Sequence, residues 1–164
     1  MNRSLPRIAF MMSILLLAGC SSKGELKEVK SEPSRAIETN FQAMSISQAK
    51  NNLMAACSAR RLVIHTTKTE VTCAQNDITG SRKRDLDRFV NDEYATNIQI
   101  VSQFKLVELE KSVGVTANIY VQYLAPMSVT SGPQTRTRNL LDDISYSELS
   151  ALIEYATRGA TPVR

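Results

Sequence analysis

Residues 98–123 read IQIVSQFKLVELEKSVGVTANIYVQY and carry the clearest strand pattern in the chain. Apolar residues alternate in both halves of this stretch, and alternation is typical of strands that bury one face. The alternating residues are Ile98, Ile100, Phe104 and Leu106, then Val115, Ala117, Ile119, Val121 and Tyr123. The pattern predicts a long antiparallel pair with its turn at Lys111-Ser112-Val113-Gly114.

The polar residues of the second predicted strand share its opposite face. Asn118, Tyr120 and Gln122 alternate with the apolar residues and form a polar and aromatic surface. Such a surface either stays solvated or binds a partner. An exposed tyrosine is also simply a good strand former, so both interpretations stand.

A second hairpin is predicted at residues 62–73, where two β-prone runs, LVIHT and TEVTC, flank a short connection. A turn at residues 67–68 predicts three cross-strand pairs: Leu62 with Cys73 and Ile64 with Val71 on one face, and His65 with Glu70 on the other. The connection lacks glycine and Asn-Gly, which are the strongest signals for a hairpin turn.

Two helices are announced by capping boxes. Ser45 and Gln48 form the first, with Met44 and Ala49 placed as a hydrophobic staple, and they predict a helix over residues 46–60. Its inward face carries Leu53, Cys57 and their helical neighbours.

The last helix is expected to begin at Ser145, where Ser145 and Glu148 form the second box and Ile144 and Leu149 the staple. Gly159 is placed to end this helix. Its predicted inner stripe is Leu149, Leu152, Ile153 and Ala156.

The order of elements predicts an α+β fold. We expect an antiparallel sheet of about four strands with two terminal helices on one face, in the order α-β-β-(α)-β-β-α. The bracketed element is a short helix near residues 84–93, where apolar residues have helical spacing. Residues 126–138, rich in Ser, Thr, Gly and Pro, are expected to form a loop that carries Arg136 and Arg138.

Residues 1–19 have the features of a bacterial export signal. Arg3 and Arg7 accompany an apolar run at residues 8–17, which is too short to span a bilayer. The run ends in Leu17-Ala18-Gly19-Cys20, which resembles the lipobox of bacterial lipoproteins. The resemblance implies cleavage before Cys20, diacylglycerol on its sulfur and an acyl chain on the new amino terminus. The alternative is an ordinary signal peptide with a chance cysteine.

Residues 20–40 are expected to be a lipidated, flexible tether and residues 41–164 a single periplasmic domain. The stretch SSKGELKEVKSEPSRAIETN, residues 21–40, is polar and mixed in charge. The alternative is that Leu26, Val29 and Ile37 pack onto the domain as a short helix. Ser21 stands where an aspartate would retain an enteric lipoprotein at the inner membrane, so we expect the outer membrane.

Charge and length limit the class of protein. The chain has 164 residues, which suffice for one domain, and a net charge of +4. Removal of residues 1–19 takes away two arginines and leaves a charge of +2. A nearly neutral chain lacks the clustered basic and aromatic face of a nucleic-acid-binding protein, so no nucleic-acid partner is expected.

The two other cysteines are predicted to form a disulfide. The hairpin register returns Cys73 to the end of the helix that carries Cys57, in an oxidising compartment. Closing a loop of about 15 residues stabilises a fold by about 3 kcal/mol. A redox or metal-binding pair is the alternative, but it lacks C-x-x-C spacing and further ligands.

A basic run, Arg82-Lys83-Arg84, lies in the polar stretch between the two hairpins. It is a candidate contact for an acidic partner, for lipid head groups or for peptidoglycan carboxylates. The alternative is a solvated surface that Asp85 and Asp87 partly neutralise.

Few residues offer catalytic chemistry. His65 is the only histidine, no serine stands in a G-x-S-x-G turn, and no ligand set for zinc or haem appears. Asp85 with Asp87, or Asp142 with Asp143, could serve acid–base catalysis, although a helix start explains the second pair. We therefore expect no enzyme, no cofactor and no metal.

These observations predict a lipid-anchored periplasmic protein that binds another protein, as an accessory component of an envelope assembly, secretion or conjugation apparatus. The candidate contact residues are Arg82, Lys83, Arg84, Tyr120 and Gln122. One alternative is a module that binds or senses cell-wall fragments or lipids, which requires a concave apolar pocket. Another is a small hydrolase, which requires two carboxylates, or His65 and an acid, in one cleft.

Cys20→Ala tests the anchor. We expect the variant to leave the membrane fraction, because the sulfur that would carry diacylglycerol is gone and a single remaining chain binds membranes only marginally. The measurement is flotation of membranes in a density gradient, with Ser22→Ala as the control that stays bound. Tight membrane association of Cys20→Ala would contradict the lipoprotein prediction.

Overall fold

A computed structural model of the chain describes residues 35–125 and 132–158. These residues form an α+β fold with six strands and three helices. In chain order the elements are β1 (Ile37–Gln42), α1 (Ile46–Ala59), β2 (Val63–Thr66), β3 (Glu70–Gln75), α2 (Gly80–Val90), β4 (Thr96–Glu108), β5 (Ser112–Ala125), β6 (Gln134–Asn139) and α3 (Asp143–Arg158).

The six strands form one antiparallel sheet with β5 as its hub. Five strands run in the order β1-β5-β4-β3-β2, and β6 also pairs with β5. The first half of β5 pairs with β1 over residues 112–117, and its second half pairs with β6 over residues 120–125. Strand β4 pairs with the other edge of β5. Strand β5 is thus hydrogen-bonded to three strands, β1, β4 and β6.

The alternation of β5 confirms the strand pattern expected from the sequence. Its odd-numbered residues from Val113 to Ala125 are buried and its even-numbered residues are partly buried, without a break. The predicted turn at residues 111–114 is wrong: Leu109 N–H donates to the Ser112 carbonyl at 2.9 Å, so the turn residues are 110 and 111. Gly114 instead lies inside β5, opposite Asn40 and Val107.

All three helices cover the same face of the sheet. Their buried side chains belong to one apolar core that also contains the inward residues of the strands. The largest fully buried side chains of the strands are Phe41 and Phe104, and the helices contribute Leu53, Leu86, Val90, Leu149 and Leu152. The sheet therefore has one helix-covered face and one face that points away from the helices.

The start of α1 is as expected. Ser45 caps the helix, with its hydroxyl accepting from the Gln48 N–H at 3.3 Å while the Gln48 side chain accepts from the Ser45 N–H at 2.9 Å. Leu53 and Cys57 are fully buried. The capping box and the inward stripe are both confirmed, and the helix ends at Ala59.

The start of α3 differs from the sequence prediction. Asp142 precedes the helix, and its carboxylate accepts the Ser145 N–H at 3.0 Å and the Ser145 hydroxyl at 2.7 Å. A carboxylate next to a helix N-terminus is favoured over a hydroxyl by its charge. The helix therefore begins at Asp143, and Ser145 is buried in its first turn. The predicted inner stripe is buried as expected, whereas Gly159 lies outside the described residues.

Two strands, β1 and β6, were not predicted. Strand β1 begins at Ile37, within residues 20–40 that were expected to be a tether, and Ile37 packs as part of a strand rather than a helix. Strand β6 spans residues 134–139, so residues 134–138 of the expected loop at 126–138 are in a strand. Both sequences are polar, and pairing with β5 makes them strands. Residues 126–131 lie outside the described part of the chain.

The register of the β2–β3 hairpin is shifted by two residues. Thr67 N–H donates to the Glu70 carbonyl at 3.0 Å, so the turn residues are 68 and 69. Ile64 pairs with Cys73 and His65 with Thr72, and the predicted pairs Leu62–Cys73, Ile64–Val71 and His65–Glu70 do not form. A shift of two residues keeps every side chain on its predicted face.

The connection between the hairpins contains α2, four residues earlier than the short helix expected near residues 84–93. Asn91 ends it in a left-handed conformation at φ 48°. The basic run therefore lies on a helix.

Arg138 of β6 contacts the end of this helix. Its guanidinium donates to the Phe89 and Val90 carbonyls and lies over the Phe89 ring, 4.8 Å from its centre.

The predicted disulfide is confirmed. Cys57 of α1 and Cys73 of β3 are bonded, with their Cα atoms 6.0 Å apart. Both residues are buried in the core, where the bond joins the helix layer to the sheet.

The double variant Cys57→Ala/Cys73→Ala tests the contribution of this bond. We expect it to lower the free energy of unfolding by about 3 kcal/mol, because the unfolded chain gains the entropy that the closed loop removes. The measurement is urea denaturation followed by circular dichroism, with the reduced wild-type protein as the control. An unchanged midpoint in both samples would contradict this role.

Candidate functional site

The face of the sheet that points away from the helices is the candidate site, and we call it the open face. The strand registers place four strands' outward residues on it in transverse rows. Its central residues are Val63 and His65 of β2, Glu70, Thr72 and Ala74 of β3, Gln99, Val101, Gln103 and Lys105 of β4, and Thr116, Asn118, Tyr120 and Gln122 of β5.

An apolar row crosses the middle of the open face. Tyr120 pairs with Val101, Val101 with Ala74, and Ala74 with Val63, so one side chain from each of four strands lies in line. Val101 is 2 % exposed and Ala74 5 %, whereas Val63 at the end of the row is 44 % exposed. Neither Val101 nor Ala74 belongs to the helix-side core. The open face thus has its own small apolar centre.

Amide side chains border the apolar row on both sides. Gln122 and Gln99 pair on one side, and the row of Asn118, Gln103, Thr72 and His65 lies on the other. Most of these side chains are partly buried, and His65 is exposed at the edge of the sheet. Amides both donate and accept hydrogen bonds, so this border can bind main-chain or hydroxyl groups of a partner.

Glu70 organises the charged end of the open face. Its Oε1 accepts a hydrogen bond from Gln103 Nε2 at 2.9 Å and from the Thr72 hydroxyl at 3.0 Å. Burial raises the pKa of Tyr120 above 10.0, and the negative charge of Glu70 raises it further. The phenol therefore stays protonated and available as a hydrogen-bond donor at neutral pH.

The predicted contact residues fall into two separate groups. Tyr120 and Gln122 lie on the open face, in neighbouring rows. Arg82, Lys83 and Arg84 lie on α2, which packs on the other side of the sheet. The two groups therefore cannot form one contact surface.

Within the basic run, two of the three side chains already have partners. Arg82 donates to the Asp142 carboxylate at 3.3 Å and to the Ser145 hydroxyl, and Lys83 donates to Asp87 at 2.8 Å. Burial alone raises the pKa of Asp142, but the Ser145 hydrogen bonds and the Arg82 charge outweigh it, so this pKa is lowered. Arg82 thus joins α2 to the start of α3, and Arg84 is exposed.

The helix side of the sheet has a small cleft beside the disulfide. Its volume is about 170 Å³, and its lining includes Arg60, Cys73, Ser102, Glu148 and Leu152. Pockets that enclose a small-molecule ligand usually measure about 300 Å³ or more. This cleft is therefore smaller than a typical small-molecule site.

Three further observations bear on function. Across residues 35–125 and 132–158, no group of three or more His, Cys, Asp or Glu side chains is arranged to hold a metal ion. No helix within this part of the chain is long and apolar enough to cross a membrane. Comparison with protein-family models, with curated proteins and with solved structures finds no match for this chain.

The sequence identified Tyr120 and Gln122 and placed Glu70 on the outward face, but Val101, Ala74 and the contact of Glu70 with Gln103 were missed. Val101 lies between the inward residues Ile100 and Ser102, so it interrupts the alternation that identified the strand. A search for apolar residues at outward positions would have found it. The contact of Glu70 with Gln103 depends on the pairing of β3 with β4, which no local pattern indicates.

Glu70→Gln tests the electrostatics of the open face. We expect the pKa of Tyr120 to fall toward 10.0 but to stay above it, because burial is the larger cause of the shift. The measurement is the pH titration of the Tyr120 ring-carbon signal by NMR. Glu38→Gln, which removes a carboxylate from β1, is the matched control and should leave the pKa unchanged. An unchanged Tyr120 pKa in Glu70→Gln would contradict the assigned contact.

Proposed function

We propose that this protein is a non-enzymatic, lipid-anchored component of an envelope assembly, secretion or conjugation apparatus, and that its open face binds another envelope protein. The observation that carries the proposal is the pairing register that places Tyr120 and the exposed Val63 at the two ends of one row, over the buried Val101 and Ala74, with amide side chains on both sides. Protein interfaces typically combine an aromatic centre with a polar, hydrogen-bonding rim.

The composition of the open face favours a protein partner. Its amide and hydroxyl groups suit a polypeptide, which presents N–H and C=O groups at regular intervals. Its charges are of both signs, because Lys105 shares one row with Glu70 and Glu38, so a strongly charged polymer gains little there. A protein surface with apolar and polar groups of its own fits this pattern.

The length of chain between the proposed anchor and the domain limits how far the domain could lie from the membrane. Arg35 is held at the start of α3 by an ion pair with Asp143 at 3.2 Å and lies over the Tyr146 ring, 4.1 Å from its centre. Residues 21–34 then separate the proposed lipid on Cys20 from this point, and a chain of that length spans at most about 50 Å. The lipid, with Ser21 after it, would keep the domain near the inner leaflet of the outer membrane.

A carbohydrate is the second candidate ligand, because Tyr120 presents an aromatic ring between amide side chains. Sugars stack on aromatic rings and bond to amides through their hydroxyls. Under this alternative the open face binds cell-wall glycan rather than protein. The experiment below separates the two.

A photo-crosslinking residue at position 122, in the polar border, tests the proposal in living cells. We expect it to capture one defined envelope protein, whereas the same residue at position 84, on the opposite side of the domain, does not. Tyr120→Ala should reduce the crosslink about tenfold, because interface aromatics carry much of the binding energy. Tyr155→Ala, an exposed tyrosine of α3, is the matched control.

The outcomes are distinct. Equal capture at positions 122 and 84, or a crosslink that Tyr120→Ala leaves unchanged, would refute the open face as the interface. Crosslinks to glycan alone would refute the protein partner in favour of the second candidate.

A further inference from the structure

Within the residues that the structure describes, the outer edge of β2 is free to pair with a further strand, and the inference concerns this edge. Strand β2 ends the sheet and pairs only with β3 in the described part of the chain. The bond from Thr67 to Glu70 fixes which residues point toward β3, since hydrogen-bonded and non-bonded pairs alternate in an antiparallel ladder. Ile64 and Thr66 consequently direct their N–H and C=O groups away from β3.

This edge lacks the features that protect the other edge of the sheet. Strand β1 carries Glu38, and strand β6 carries Arg136 and Arg138. Charged residues and proline on an edge strand prevent pairing with foreign strands. Strand β2, with the sequence VIHT, has neither a charged residue nor a proline.

Basic residues lie at both ends of β2. Arg60 and Arg61 precede it, Lys68 follows it in the turn, and all three are exposed. The turn itself is held in place by Lys50, whose Nζ donates to the Thr67 carbonyl at 2.5 Å. The nearest acid along the chain, Glu70, is already bound to Gln103 and Thr72.

The charges decide between two kinds of occupant. A second copy of β2 in antiparallel pairing would bring Arg60 and Arg61 of one copy close to Lys68 of the other, and like charges at an interface disfavour binding. A different chain with carboxylates at the ends of its strand would instead form ion pairs at both ends of β2. The occupant is thus a foreign segment and not a second copy.

The geometry points to β2 as an acceptor strand for an extended segment of a partner protein, uncharged over about four residues and flanked by Asp or Glu on both sides. The main-chain groups of Ile64 and Thr66 would form its ladder, and the residue opposite Val63 would lengthen the apolar row. This inference specifies the kind of partner for the proposed function. It rests on the proposed function, because both require that the partner is a protein.

A synthetic peptide with an alternating Val-Thr centre and Glu residues at both ends is the probe. It is titrated against the full-length chain in detergent, and binding is followed by NMR at the Ile64 and Thr66 amides. We expect saturable shifts at these amides. Replacing the Glu residues with Lys should weaken binding about tenfold, and added salt should weaken the binding of the Glu peptide.

Two variants of the same residue separate strand pairing from side-chain contact. Thr66→Pro removes an N–H that points away from β3, so it should abolish peptide binding while the β2–β3 ladder remains. Thr66→Ala keeps the N–H and should bind like the wild type. A peptide that is N-methylated at alternate residues makes the same test without changing the protein. It should not bind when the methylated positions are those whose N–H groups would donate to the Ile64 and Thr66 carbonyls.

The inference is overturned if the peptide produces no shifts at β2, if it binds Thr66→Pro as well as Thr66→Ala, or if the Lys-flanked peptide binds equally. These failures are independent of the crosslinking result at position 122. Peptide binding without a cellular crosslink would refute the proposed function and support the acceptor strand. A cellular crosslink without peptide binding would support the proposed function and refute the acceptor strand.

Discussion

Strand β5 imposes the constraint on which the rest of the sheet depends. Along 14 residues it alternates buried and partly buried side chains without interruption, and it pairs with β4, β1 and β6. A slip of one residue in any of these pairings would turn an entire strand over and expose its apolar side chains. The two faces of β5 therefore fix which residues the helices cover and which residues lie on the open face.

Most sequence-based predictions with local determinants succeeded, although α3 begins at Asp143 and not at the capping box predicted at Ser145. The capping box at Ser45 and the inward stripe of α3 need only helical periodicity, and both are found in the structure. The predictions failed where a segment becomes a strand only because it pairs with another strand. Strands β1 and β6 are polar segments at the edge of the sheet, and β5 supplies the partner that makes them strands. The turns were displaced because neither hairpin carries the glycine-containing dipeptides that fix a turn.

The candidate site shows the same division. Alternation alone places Tyr120 and Gln122 on the open face, and the structure agrees. The apolar row can be recognised only from the relative register of four strands. That register places Val101 and Ala74 in line with Tyr120. The basic run illustrates the opposite case. Composition marks Arg82 as a surface charge, yet it is largely buried against Asp142 and Ser145 and links two helices.

Weak binding at the β2 edge, which we infer, would suit a protein that the proposed lipid holds on a membrane. Ile64 and Thr66 offer two N–H and two C=O groups. At about 1 kcal/mol each, their hydrogen bonds would contribute about 4 kcal/mol, so on their own they would bind no more tightly than a Kd of about 1 mM. Freely diffusing proteins rarely meet at that concentration. Two proteins tethered to one surface reach effective concentrations in this range. The proposed lipid would therefore do more than localise the domain, because it would make a short edge strand and a small apolar row sufficient for a specific contact.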